Sequence, residues 1–98
     1  MSNSYSIFET DEFLKKMSKL TSEDAGFIRK KFVEYIYPQI SKEPYYGKNI
    51  KKLRGYKPDV WRYRIGRFRV FYSIDQEESI INILTVDFRK DLYKQYQI

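Results

Sequence analysis

The chain contains neither cysteine nor histidine. The first absence removes disulfide frameworks and thiolate metal sites, and it fits a reducing compartment. The second removes imidazole acid–base catalysis and histidine-based metal triads. Glycine and proline are scarce, at four and three of 98 residues, and no low-complexity tract, repeat or Gly/Ser-rich linker interrupts the sequence. A single domain over residues 1–98 is therefore expected, large enough to bury about 65% of its unfolded surface. Long apolar runs are missing too, since none approaches the roughly 18 residues that would mark a membrane span. The start, MSNSYSIFETDEF, has no basic stretch followed by an apolar core. These absences predict a cytoplasmic protein with no membrane contact. Any chemistry would rest on Lys, Arg, Tyr, Ser, Thr, Asp or Glu, with no metal and no cofactor expected.

Positive charge, by contrast, is plentiful and unevenly placed. Residues 1–46 carry seven acids and seven bases, residues 47–72 one acid and nine bases, and residues 73–98 five acids and three bases. The whole formal excess of +6 thus originates in one 26-residue segment, which points to a polyanionic partner.

Hydrophobic periodicity gives the elements. Tyr5 to Glu9 alternates weakly, as a strand does. Thr10 or Asp11 can cap a helix with Phe13, Leu14, Met17 and Leu20 at helical spacing. Thr21-Ser22-Glu23-Asp24 starts a second helix, whose stripe Ala25, Ile28, Phe32, Ile36, Ile40 lies opposite Arg29, Lys30 and Glu34. Pro38 would kink this helix or end it early. Residues 42–52 read as a loop because of Pro44, Gly47 and Asn49. After the turn Gly55 to Asp59 the period becomes two: Trp61, Tyr63 and Ile65 alternate with Arg62 and Arg64. Gly66-Arg67 then makes a tight connection to the strand Phe68, Val70, Tyr72, Ile74. Residues 79–86 are almost continuously apolar, as a central strand is, and residues 91–97 are compatible with a short terminal helix. The expected fold is α+β: a mainly antiparallel four-stranded sheet, two N-terminal helices packed on one face, and a short C-terminal helix.

Successive strand residues point to opposite sides, so Arg62 and Arg64 share a face and Arg69 should join them. Guanidinium groups bind phosphate through a planar fork and keep their charge. Tyr56, Trp61, Phe71 and Phe88 offer stacking surfaces for bases. Alternating arginines equally serve to solvate a polar sheet face, Trp61 and Tyr63 equally serve as core, and the basic loop of Lys48, Lys51, Lys52, Arg54 and Lys57 is compatible with simple solvation.

The stretch KNIKKLRGYKPDVWRYRIGRFRVFYSID, followed by INILTVDFRKDLY, resembles the RelE-like branch of the RelE/ParE toxin superfamily. The likeness lies in a leucine and a glycine before the hairpin, an arginine-bearing hairpin, an apolar central strand and an arginine-to-tyrosine tail. It implies the toxin of a toxin–antitoxin pair that cuts messenger RNA in the decoding site of a 70S-type ribosome, without metal, and so inhibits translation. The resemblance assigns catalytic roles to Arg62, Arg64, Arg69, Arg89 and Tyr93. It places Lys52 and Arg54 in the basic loop that touches RNA in relatives; Lys48, Lys51, Lys57, Arg67 and Phe88 are further candidate RNA contacts by their charge or stacking surface. It further implies a cognate antitoxin as partner, with a homodimer or a toxin–antitoxin heterotetramer as possible assemblies. Where some relatives have lysines in the first hairpin strand this chain has arginines, and where many have histidine before the late arginine it has Phe88. Two other readings stay open at this point: a ParE-like toxin that inhibits DNA gyrase without nuclease chemistry, and a plain basic RNA-binding module.

Overall fold

A computed structural model describes residues 4–88. The expected terminal helix lies outside the described residues. Strand β1 (Ser6–Glu9) leads into α1 (Asp11–Ser18) and α2 (Ser22–Lys31), a π-helical turn (Phe32–Ile36) and α3 (Tyr37–Lys42). Four strands follow: β2 (Ile50–Leu53), β3 (Val60–Ile65), β4 (Phe68–Asp75) and β5 (Ile80–Phe88). They form one five-stranded sheet in the order β1-β5-β4-β3-β2, with β1 parallel to β5 and the other neighbours antiparallel.

The sheet has one strand more than the sequence predicts. Residues 50–52, read as loop, together with Leu53 pair as β2 with β3 from Ile50↔Tyr63 to Leu53↔Val60. Lys51 and Lys52 at its centre obscure the alternation, yet a short lysine-bearing strand is a usual way to terminate a sheet edge.

Both helix starts are capped as the sequence suggests. The hydroxyls of Thr10 and Thr21 accept hydrogen bonds from the backbone N–H groups of Phe13 and Asp24, and acids occupy each first turn, where the helix dipole favours them. Pro38 does not end the second helix. It has no N–H, and its ring would crowd the carbonyl four residues earlier, so the rod widens for one turn and Tyr37 N–H reaches back to the Phe32 carbonyl. The wider turn has a second effect. A stripe spaced by four drifts about 40° per step around a regular helix, and the π-helical turn offsets that drift. As a result Ile28, Phe32, Ile36 and Ile40 are all buried.

That stripe, with Phe13 and Met17 of α1, packs on Tyr63, Ile65, Phe68, Val70, Tyr72, Ile81, Ile83 and Val86 to form the core. The helices therefore cover one face of the sheet, as expected. A half-buried polar cluster ties the elements at its margin: Glu9 of β1 accepts hydrogen bonds from Arg29 of α2 and from the hydroxyl of Tyr37 of α3. Burial by itself would raise the Glu9 pKa, but the hydrogen bonds from Arg29 and Tyr37 outweigh it and hold the carboxyl below its ordinary 4.5.

Candidate nucleic-acid interface

The face opposite the helices is fixed by strand register. Arg62 of β3 lies across from Phe71 of β4, and Arg64 across from Arg69; residues directly opposite in an antiparallel pair share a face. Arg62, Arg64 and Arg69 are therefore brought together, with Lys51 of β2 opposite Arg62 and exposed. Their environments differ. Arg64 is exposed, Arg62 is half-buried, and Arg69 is 5% exposed. Arg69 sits on β4 between two neighbouring strands, and its Nη1 donates to the carbonyls of Gly66 and Phe68 at 2.9 Å each. The sequence places three guanidiniums in solvent. The structure instead gives one exposed, one half-buried, and one folded back onto the β3–β4 turn. Gly66 opens that two-residue turn at φ +58°, a left-handed conformation that glycine adopts without strain.

The loop cations are spread along the edge beyond β2. Lys48, Arg54 and Lys57 are exposed, and Lys52, Leu53, Arg54, Gly55, Tyr56, Lys57 and Asp59 line an open hollow of about 770 Å³. Lys52 faces away from the arginines, paired with Asp59 at 3.2 Å and lying over the ring of Trp61. Two expected RNA contacts are placed elsewhere. Arg67 pairs with Asp24 of α2 at 3.2 Å and lies over the rings of Phe68 and Phe88. Phe88 stacks on Phe68, with ring centroids 4.7 Å apart, and packs against the main core. Both thus belong to the helix side of the sheet. Arg89 and Tyr93 lie outside the described residues. Tyr72, also on the core face, donates its hydroxyl to the Pro44 carbonyl at 2.6 Å, and burial pushes its pKa well up; it is no candidate base.

Three features of this face escape the sequence. Val60 and Phe71 form a small apolar cluster of their own, with Leu53, Tyr56 and Leu84 packed against it. Strand β5 carries a bulge: Phe71 pairs with Thr85 but Tyr72 with Ile83, so Leu84 is an extra residue and the alternation changes phase there. Ile81, Ile83 and Val86 consequently all face the core, and Asp87 is delivered to the arginine face, opposite Arg69. Asp87 Oδ2 there accepts from Nζ of Lys16, at 3.1 Å. Nothing in the apolar run marks the bulge, and Lys16 comes from a helix remote in sequence.

Residues 9–93 match the family described as the ParE toxin of the type II toxin–antitoxin system parDE. The chain belongs to this toxin family. It is thus the toxin of a toxin–antitoxin system, within the RelE/ParE superfamily that the hairpin motifs suggest. It is 35% identical to Toxin RelG of Mycobacterium tuberculosis over 63 residues, which cover 64% of this chain and 70% of RelG. Its fold matches the toxin–antitoxin complex RelBE2 of the same organism with a TM-score of 0.68, at 28% identity, covering 88% of this chain and 92% of that one. The isolated RelE toxin of Escherichia coli, at 23% identity and 96% coverage of both chains, shares the fold with a TM-score of 0.64. Toxins of this fold are also found in complex with the antitoxin RelB, as in Pyrococcus horikoshii. Among the described residues of this toxin, no helix is long and apolar enough to cross a membrane.

Proposed function

We propose that this toxin is a metal-independent endoribonuclease that cuts messenger RNA in the ribosomal decoding site through attack by the RNA 2′-hydroxyl, and thereby arrests translation. The supporting observation is the register that sets Arg64 opposite Arg69 with Arg62 one pair away on the same face. RNA carries its own nucleophile, so the protein has to align it and stabilise the extra negative charge that develops on phosphorus. Arg62 and Arg64 would grip the scissile phosphate, and Arg69 would hold the turn that presents them. Arg89 and Tyr93 would complete the site from the tail, Tyr93 as base. Lys48, Lys51, Arg54 and Lys57 would carry flanking phosphates, with Lys52 turned to the other side by its pairing with Asp59. A cognate antitoxin, encoded beside the toxin and held in a heteromeric complex, would neutralise it in the cytoplasm.

One preorganised donor to a developing charge contributes about 3–4 kcal/mol in other enzymes. Arg64→Ala should therefore slow cleavage by at least about 10²-fold while changing unfolding free energy by less than about 0.5 kcal/mol, as exposed positions do. Primer-extension mapping of transcripts in expressing cells, with and without translation, checks this: cuts should occur in translated messages and fade with Arg64→Ala. The family carries the name of ParE, and the second reading is accordingly the ParE-like one raised by the sequence: inhibition of DNA gyrase without nuclease chemistry. Induced cells that keep intact transcripts while DNA topology fails would replace the nuclease reading with that one.

A further inference from the structure

Strand register lines up charged side chains from four elements. Arg64 of β3 lies opposite Arg69 of β4, which lies opposite Asp87 of β5. With strands about 4.8 Å apart, the row from Arg64 to Asp87 is about 10 Å long. Its fourth member is Lys16 of α1, held by Asp87 at 3.1 Å with side-chain exposures of 26% for Lys16 and 18% for Asp87. Two features of the fold bring it there. β1 stops pairing with β5 at Ile83, and α1 follows it along the vacated edge, anchored by the Thr10 hydroxyl on the carbonyls of Ile83 and Leu84 at 2.7 and 3.1 Å. The bulge at Leu84 then turns Asp87 toward the arginine side.

Attack by a 2′-hydroxyl leaves a proton to be delivered to the departing 5′-oxygen. Guanidinium groups are unsuited to that task, because they do not deprotonate in proteins. An ammonium group can release a proton. We propose that Lys16 is the proton donor to the 5′-oxygen and that Asp87 is the positioning residue that aims it; the inference rests on the nuclease reading above. The 2′-oxygen bonds to phosphorus as the bond from phosphorus to the 5′-oxygen breaks. The 2′-hydroxyl proton goes to the base, the role the nuclease reading gives to Tyr93, and the Lys16 Nζ proton goes to the 5′-oxygen. The products are a 2′,3′-cyclic phosphate and a 5′-hydroxyl, and Lys16 regains its proton from water.

The test is single-turnover cleavage of ribosome-bound messenger RNA by the full chain and its variants, with melting temperature as the control for folding. Lys16→Met should slow cleavage by about 10²-fold or more, the usual contribution of a general acid. Lys16→Arg keeps the charge and cannot donate, so it should be equally slow; it also carries the test if Lys16→Met unfolds. Asp87→Asn should fall between. When the scissile 5′-oxygen is replaced by sulfur, the leaving thiolate needs no proton, and both Lys16 variants should recover the rate of the unsubstituted protein. Full-rate cutting of ordinary RNA by Lys16→Arg, or a sulfur substrate that fails to rescue, overturns the inference while leaving the nuclease reading intact. A parent protein that cuts no ribosome-bound message overturns the nuclease reading itself.

Discussion

The two faces of the sheet are built to opposite rules. On the helix side, Tyr63, Ile65, Phe68, Val70, Tyr72, Ile81, Ile83 and Val86 meet the stripe of the helical rod in one continuous core. On the other side, a small patch around Val60 and Phe71 is flanked by Arg62, Arg64, Arg69, Lys51 and Asp87. The first face gains stability from apolar area removed from water. The second concentrates like charge, which contributes little to stability and is suited to holding an anion. The molecule therefore separates the residues that keep it folded from those positioned for a polyanion, and substitutions should separate along the same line.

The sharpest contrast comes from Phe32, fully buried and packed edge-on against Phe13 and face-on against Tyr37. Phe32→Ala should cost about 3–5 kcal/mol, read from the urea midpoint, whereas Arg64→Ala should leave that midpoint in place. Arg69 blurs the division because its guanidinium also secures the β3–β4 turn. Arg69→Ala should cost about 1–3 kcal/mol, since the Phe68 and Gly66 carbonyls, in a buried and a part-buried hydrogen bond, lose a charged donor, and should reduce growth arrest as well. A smaller effect is expected for Thr10→Ala, which removes the α1 cap for about 1 kcal/mol and loosens α1 from β5. Protection of the β5 amides against hydrogen exchange would show that loosening. The mildest effect concerns Glu9. Its folded pKa lies below its unfolded one, so its contribution is present above the ordinary carboxylate range and fades as pH falls through the folded value. The stability difference between the parent and Glu9→Gln should be evident at pH 7 and close as the solution is acidified below the carboxylate range.

Much of the helix-side face was legible in advance, because its signals are local. The threonine caps, the spacing of the stripe from Ile28 to Ile40 and the period-two hairpin each follow from residues a few positions apart. What escaped depends on distant partners. Ile50 to Leu53 became a strand because β3 offers it an edge, although its two lysines hide the pattern. Pro38 was legible as a disturbance, but its outcome was set by the core that the next turn had to reach. On the arginine face, the sharing of one side by Arg62, Arg64 and Arg69 followed from strand parity. Their unequal exposure did not, since it reflects which strand is central. The surroundings of Arg67 and Phe88 are hidden for a related reason: the loop alone does not reveal that Asp24 waits across from Arg67, nor that the phase change in β5 returns Phe88 to the core side.

That phase change has a consequence for how the sequence can vary. An odd residue inside a strand inverts the inside–outside code for everything downstream until the strand ends. Deleting Leu84 would turn the bulge into a regular ladder: Ile83 would still lie opposite Tyr72 and Thr85 opposite Phe71, so Asp87 would stay beside the arginines and Phe88 on the core side. Length at this point in β5 is thus free to shrink by one residue with the downstream code kept; what the extra residue adds is the Leu84 side chain packed against Val60 and Phe71 and the local twist of a bulge.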